Sequence, residues 1–200
     1  MPEFVCRDCA TSFTLPQSIL DRYRGWTPAQ CRKCRDGGTK LSSRVQSANE
    51  APGEDPTTGV FTDGSSSPNP GPGGWGAVYV IEDRIVEEAF GFGGDTTNNR
   101  MELLALIRAA GLVPEGEPAT MFSDSNLAVR TINEWASGWE KRGWKRKSGP
   151  VENLDLVKQA YGIYRRRPEL KVTWIKAHVG FKWNEYADEL ANRGRIEGSR

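Results

Sequence analysis

"TTNNRMELLALIRAAG", residues 96–111, reads as a helix that ought to be buried. Met101, Leu103, Leu104, Leu106, Ile107 and Ala109 leave little polar surface on it. Yet Glu102 sits inside that apolar run. A carboxylate there is expensive to desolvate unless something meets it. The helix therefore predicts both a packed layer and a hidden partner for one acid.

Working outward, the signals alternate between short apolar runs and helical patterns. "GVFTD" (59–63) is an apolar strand that stops at the Gly/Pro-rich loop "GSSSPNPGPGG" (64–74). "WGAVYVIE" (75–82) and "RIVEEAFGFG" (84–93) read as a hairpin turning near Glu82 to Arg84. After the helix, "ATMFSD" (119–124) is a strand, and "SNLAVRTINEWA" (125–136) is a helix with a Ser/Asn cap. "GWEKRGWKRKSGP" (138–150) reads as a basic, aromatic excursion from the fold. "NLDLVKQAYGIYRRR" (153–167) is a helix and "KVTWIKA" (171–177) a strand. "KWNEYADELANRG" (182–194) is a last helix, with Gly194 as its expected C-cap. The order β-β-β-α-β-α-α-β-α predicts an α/β fold, a mixed sheet with helices on both faces.

The opening of the chain is of another kind. All four cysteines, Cys6, Cys9, Cys31 and Cys34, fall in two C-x2-C pairs separated by 21 residues. Two such knuckles suit one structural Zn²⁺ held by four thiolates. Residues 1–36 are expected to form this small zinc unit, which must draw its folding energy from the metal. Residues 37–58 lack aromatics and are rich in Gly, Ser, Pro and Glu, the composition of a flexible linker. Residues 59–196 form the larger domain. The hydrophobic share of 37% and seven tryptophans supply a core, and the net charge of +1 announces no nucleic-acid partner in bulk. No run is apolar enough for a membrane span, and no signal peptide is expected; the expectation is a cytoplasmic protein with reduced thiols.

Three further acids join Glu102. Asp63 closes the first strand of the larger domain and Asp124 closes "ATMFS", the ends where α/β sheets place their chemistry. Asp188 lies on the last helix between Ala187 and Ala191, with Asn184 one turn earlier on the same face. Taken singly, each acid reads as readily as a turn, a cap or half of an ion pair. Gathered together, they require a cation, and with no cysteine and one histidine in this region a hard, oxygen-loving ion such as Mg²⁺ is favoured.

Residues 60–194 resemble a type 1 ribonuclease H. The resemblance is carried by "FTDGS", "NPGPGGWGAV", "TTNNRMEL", "SDS", "WEKRGWK", "NLDL" and "KAHVGFKWNEYADELA", which occur in the family's order. It implies a ribonuclease H-like five-stranded sheet. It also implies that Asp63, Glu102, Asp124 and Asp188 hold two Mg²⁺ or Mn²⁺ ions and hydrolyse the RNA strand of an RNA–DNA hybrid. One ion would activate the attacking water and the other would steady the leaving 3′ oxygen, leaving 5′ phosphate and 3′ hydroxyl ends. His178, the only histidine, would assist proton transfer and product release. A hybrid-binding module that no longer cuts is the alternative.

The same resemblance assigns the substrate face. Asn69, Asn98, Asn99 and Asn126 would read the minor groove, where amides suit ribose 2′-hydroxyls. Thr97 and Asn153 would hold a DNA phosphate. Trp135, Trp139, Lys141, Arg142, Trp144 and Lys145, with Arg146 and Lys147, would form a basic protrusion against the DNA strand. Glu140 departs from this pattern and would soften the patch. Trp135 also reads as an anchor to the core, and Asn99 as a helix cap as well as a contact. The N-terminal unit resembles bacterial zinc-ribbon modules. Its Arg7, Arg22, Arg24, Arg32, Lys33 and Arg35 suit a tethered nucleic-acid clamp, and a protein-docking role stands beside it. The chain is expected to act as a monomer.

Overall fold

The computed structural model describes residues 3–5, 12–14, 54–146, 148–177 and 179–198. The chain divides into two compact units, Met1–Ser47 and Ala48–Arg200. In the first, strands β1 (Glu3–Val5) and β2 (Ser12–Thr14) pair antiparallel, with Phe4 opposite Phe13. Cys6, Cys9, Cys31 and Cys34 lie outside the described residues, as does the basic middle of that unit.

The second unit is built on a sheet of five strands: β3 (Gly59–Ser66), β4 (Gly71–Ile81), β5 (Arg84–Thr96), β6 (Ala119–Ser123) and β9 (Leu170–Trp174). Their order is β5-β4-β3-β6-β9. β3, β4 and β5 form an antiparallel meander, whereas β6 runs parallel to β3 and β9 parallel to β6. The helices are α1 (Asn98–Ala109), α2 (Asn126–Arg130), α3 (Ala136–Lys141), α4 (Leu154–Arg166) and α5 (Lys182–Gly198). A π-helical turn, Thr131–Trp135, joins α2 to α3 without a break. Two short strands, β7 (Lys145–Arg146) and β8 (Gly149–Pro150), close a small hairpin after α3.

Strand alternation sorts the core into two layers. Val60, Ala77, Tyr79, Met121 and Val172 face the side covered by α1 and α4, among Leu103, Leu106, Val157 and Ala160. Phe61, Val78, Val80 and Phe122 face the other side, under Trp183, Ala187 and Leu190 of α5. Helix α1 thus lies buried on Met101, Leu103, Ala105, Leu106 and Ala109, as its apolar run predicts. Among the described residues no helix is long and apolar enough to cross a membrane.

Three expectations need correction. Gly194 does not cap α5, which continues to Gly198. A Cβ at Gly194 would come within 2.6 Å of the Gly91 carbonyl oxygen, so this glycine marks a close helix–strand contact rather than a stop. Asn99 does not cap α1: the N-cap is Thr97, and Asn99 is an exposed residue of the first turn. The basic excursion is also less detached than expected. Trp139 and Lys141 belong to α3, and Trp139 and Trp144 pack against the core beside α1 and α4.

Candidate active site

Two neighbouring parallel strands deliver two of the acids. β3 carries Asp63 but runs on through Gly64 to Ser66, paired with β4, so Asp63 does not close the strand as expected, whereas β6 ends at Ser123 and places Asp124 on the next residue. Helix α1 brings Glu102 over the same edge because Gly64 has no side chain. A Cβ at Gly64 would collide with the Glu102 backbone nitrogen, so α1 rests directly on β3. From the other face, α5 settles on Gly76, whose Cβ would meet the Ala187 carbonyl at 2.5 Å. Gly76 pairs with Asp63 in the sheet, so the same close approach sets Asp188 beside Asp63.

The result is a focus of negative charge. Asp63, Glu102 and Asp124 each offer one oxygen, and the three lie within 4.8 Å of one another. Asp188 adjoins this trio, near enough to Asp63 for its charge to be felt there. Burial, and then the charges of Asp124 and Asp188, push the Asp63 carboxyl up to about 8. Burial, and then Asp63, Asp124 and Asp188, also hold Glu102 well above the ordinary carboxylate range. Glu102 is half-buried as a whole, yet its Oε2 is fully buried and has no hydrogen-bond partner among the described residues. A divalent cation would relieve this crowding, and the all-oxygen donor set fits Mg²⁺ or Mn²⁺.

The acids are individually braced. Asn184 Nδ2 donates to Asp124 Oδ2 at 3.3 Å, and Trp174 Nε1 donates to the Asp124 carbonyl at 3.0 Å. Asn192 Nδ2 donates to Asp188 Oδ1 at 2.9 Å and to the Asp188 carbonyl at 3.0 Å. Ser125 caps α2 by accepting from Ala128 N, so the cap signal read after Asp124 falls on the serine.

Beside the acids lies a polar rim. Ser66 donates from its backbone and its hydroxyl to Asn98 Oδ1, at 2.6 and 2.9 Å. Asn69 Oδ1 accepts from the Ser66 hydroxyl at 3.2 Å and from Asn98 N at 3.3 Å. The structure therefore brings Asn69 and Asn98 together at the mouth of the β3–β4 loop. Thr97 and Asn153 both adjoin Arg100: Arg100 N donates to the Thr97 carbonyl, and its guanidinium reaches Asn153 Oδ1 at 3.5 Å. Arg100 also grips Asp155 with two bonds of 3.0 and 2.6 Å, tying α1 to the start of α4. Asn126 is exposed on α2.

A pocket of about 70 Å³ opens nearby, lined by Asn99, Trp135, Trp139, Arg146, Glu152 and Asn153 among others. The Trp135 and Trp139 rings lie 5.9 Å apart, and the Arg130 guanidinium covers Trp135 at 4.7 Å. Trp135 and Trp139 therefore line this pocket, whereas Trp144 packs edge-on against Tyr161. Lys141, Arg142 and Lys145 are exposed, and Arg146 pairs with Glu152 at 2.7 Å. Glu140, the acid within the basic patch, is bound by Arg165 at 2.7 Å. His178 and Lys147 lie outside the described residues. The pairs Arg100–Asp155 and Arg146–Glu152 are not foreseen from the sequence. The first partners are 55 residues apart, and no local spacing signals them. Asn184 has a usable signal, its place four residues before Asp188.

The family model described as RNase H matches residues 55–196. The chain is 44% identical over 140 residues to the ribonuclease H of Methylorubrum extorquens, covering 69% of this chain and 60% of that protein. It is 43% identical over 139 residues to the ribonuclease H of Hahella chejuensis, covering 69% of this chain and 93% of that protein. Among solved structures, LC9-RNase H1, described as a type 1 RNase H with the type 2 active-site motif, superimposes with a TM-score of 0.58 at 31% identity, covering 72% of this chain and 75% of that one. LC11-RNase H1, solved in complex with an RNA/DNA hybrid, gives a TM-score of 0.52 at 28% identity, covering 69% of this chain and 96% of that one.

Proposed function

The chain belongs to the ribonuclease H family, and from that premise we propose that it hydrolyses the RNA strand of RNA–DNA hybrids with divalent ions held by Asp63, Glu102, Asp124 and Asp188. The observation that carries this reading is the approach of three carboxylate oxygens to within 4.8 Å, from two adjacent parallel strands and a helix, with Asp188 beside Asp63. Such crowding is tolerable only with protons or cations in place. When bound, the ions supply the electrophilic pull on water, phosphoryl oxygen and leaving group.

The chain's own residues supply position and polarity. Burial and the neighbouring acids favour a protonated Asp63 in the metal-free state, and a bound cation would relieve that crowding. Glu102 keeps an unpartnered oxygen ready within the group. Asn69 and Asn98, braced through Ser66, face the minor groove with Asn99 and Asn126. Thr97 and Asn153, with Arg100 behind them, hold a phosphate of the DNA strand. Trp135 and Trp139 offer an aromatic wall and Lys141, Arg142 and Lys145 the counter-charge for its backbone. His178 takes up and returns a proton near neutral pH. The cysteine pairs hold one structural zinc, and their basic unit adds a second grip on nucleic acid.

A module that binds hybrids without cutting has no use for four acids held together at the expense of raised proton affinities. The deciding experiment is Mg²⁺-dependent cleavage of a labelled hybrid by the full chain and by Asp63→Asn. Cleavage by the parent alone supports the reading; equal cleavage by the variant removes it.

A further inference from the structure

We propose that Asn184 is a positioning residue for Asp124, fixing the rotation of that carboxylate so that it faces Asp63 and Glu102 in the group that would hold a divalent cation. The inference rests on the four-carboxylate reading and assigns a role to a side chain outside the acid set.

Asn184 is only 5% exposed and stands in the first turn of α5, four residues before Asp188 and so on the same helix face. Its neighbours Trp183 and Ala187 belong to the core layer beneath α5. Its Nδ2 donates to Asp124 Oδ2 at 3.3 Å. Its other amide atom, Oδ1, is fully buried and has no donor among the described residues. Glu102 Oε2, in the same acid group, is likewise buried without a donor. Two acceptor oxygens left without donors therefore flank Asp124.

That is a poor way to hold a helix on a sheet. A buried amide has four hydrogen-bonding positions, and leaving its oxygen unmet costs folding free energy that a leucine of similar volume would not. Packing is already supplied by Trp183, Ala187 and Leu190. The amide is explained by what it does for Asp124. The main chain there is fixed, since Trp174 Nε1 holds the Asp124 carbonyl and Ile175 N donates to the Ser123 carbonyl. The rotation of the carboxylate about its last bond is the softer coordinate, and terminal sp³–sp² torsions are broad. A donor on Oδ2 narrows that rotation. An amide is also the right donor: a lysine in its place would neutralise the charge that the cation is to meet, and a carboxyl would add to the repulsion.

The test is calorimetric titration of Mg²⁺, and of Mn²⁺, into the metal-free full chain, Asn184→Ala and Asn184→Leu, with melting curves in EDTA and hybrid kinetics over a range of Mg²⁺. Both variants should bind the ions about tenfold more weakly, the size of effect seen when a partner that orients a metal ligand is removed. Their melting temperature in EDTA should stay level or rise, most for Asn184→Leu, which keeps the volume and drops the unmet oxygen. Cleavage should fall at low Mg²⁺ and recover as Mg²⁺ is raised, with KM for the hybrid unchanged. Unchanged ion affinity in both variants, or a loss of cleavage that Mg²⁺ does not restore, overturns the inference. A parent chain that binds neither ion overturns the four-carboxylate reading itself, and the inference falls with it.

Discussion

Replacing Asp63 with Asn is expected to stabilise the metal-free protein while destroying its activity. In the folded chain the Asp63 carboxyl is raised from 3.8 to about 8, chiefly by burial and then by Asp124 and Asp188. The folded state therefore keeps a proton that the unfolded chain gives up near pH 4. Stability is fully present below pH 4 and is lost as pH rises toward 8, because the native state binds more protons across that window. Each unit corresponds to about 1.4 kcal/mol, so the strain at pH 7.5 has an upper bound of about 5 kcal/mol. Relaxation around the site lowers the realised figure, and about 2–5 kcal/mol is expected. Glu102 shifts in the same direction for the same causes and steepens the slope. An Asn at position 63 needs no proton and carries no charge to repel Asp124 and Asp188. At about 3 °C per kcal/mol for a domain of this size, Asp63→Asn should melt roughly 6–15 °C above the parent in EDTA at pH 7.5. At pH 4 the two should nearly coincide, and saturating Mg²⁺ should raise the parent far more than the variant. Differential scanning calorimetry of both proteins at the two pH values, with EDTA and with Mg²⁺, makes the comparison. A variant no more stable than its parent in EDTA at pH 7.5 would refute the electrostatic reasoning.

Named contacts lead to three other outcomes. Arg167 donates to the carbonyls of Ala110, Val113 and Pro114 at 2.6, 3.0 and 2.7 Å, so Arg167→Met should cost about 3 kcal/mol in urea denaturation and leave cleavage at 20 °C intact. Gly64→Ala drives a methyl into the Glu102 backbone and should both destabilise the fold by about 3 kcal/mol and weaken Mg²⁺ binding in a metal titration. Elemental analysis should find one zinc per chain, lost in Cys6→Ser, and removal of residues 1–58 should preserve cleavage while weakening hybrid binding at moderate salt; unchanged affinity would exclude a clamp.

Much of the fold and of the acid site is legible in residue order because the relevant physics is local. Val60 and Phe61, or Met121 and Phe122, point to opposite layers simply because strand side chains alternate. Glu102 announces itself as an acid in an apolar helix. The sequence misleads where a residue answers to a distant contact. Gly194 carries the signature of a helix end, yet Gly91 on β5 is what requires it. The tryptophans of the basic segment answer to contacts that residue order does not show, Trp135 and Trp139 to each other across the pocket and Trp144 to Tyr161 on α4. Asn184 is visible as Asp188's neighbour on α5, but its bond is to Asp124, 60 residues earlier.

The most direct measurement is a crystal of the full chain soaked in Mn²⁺, with anomalous scattering recorded. The account predicts manganese density bounded by the oxygens of Asp63, Glu102, Asp124 and Asp188. A soaked crystal whose four carboxylates show no anomalous peak between them would contradict it.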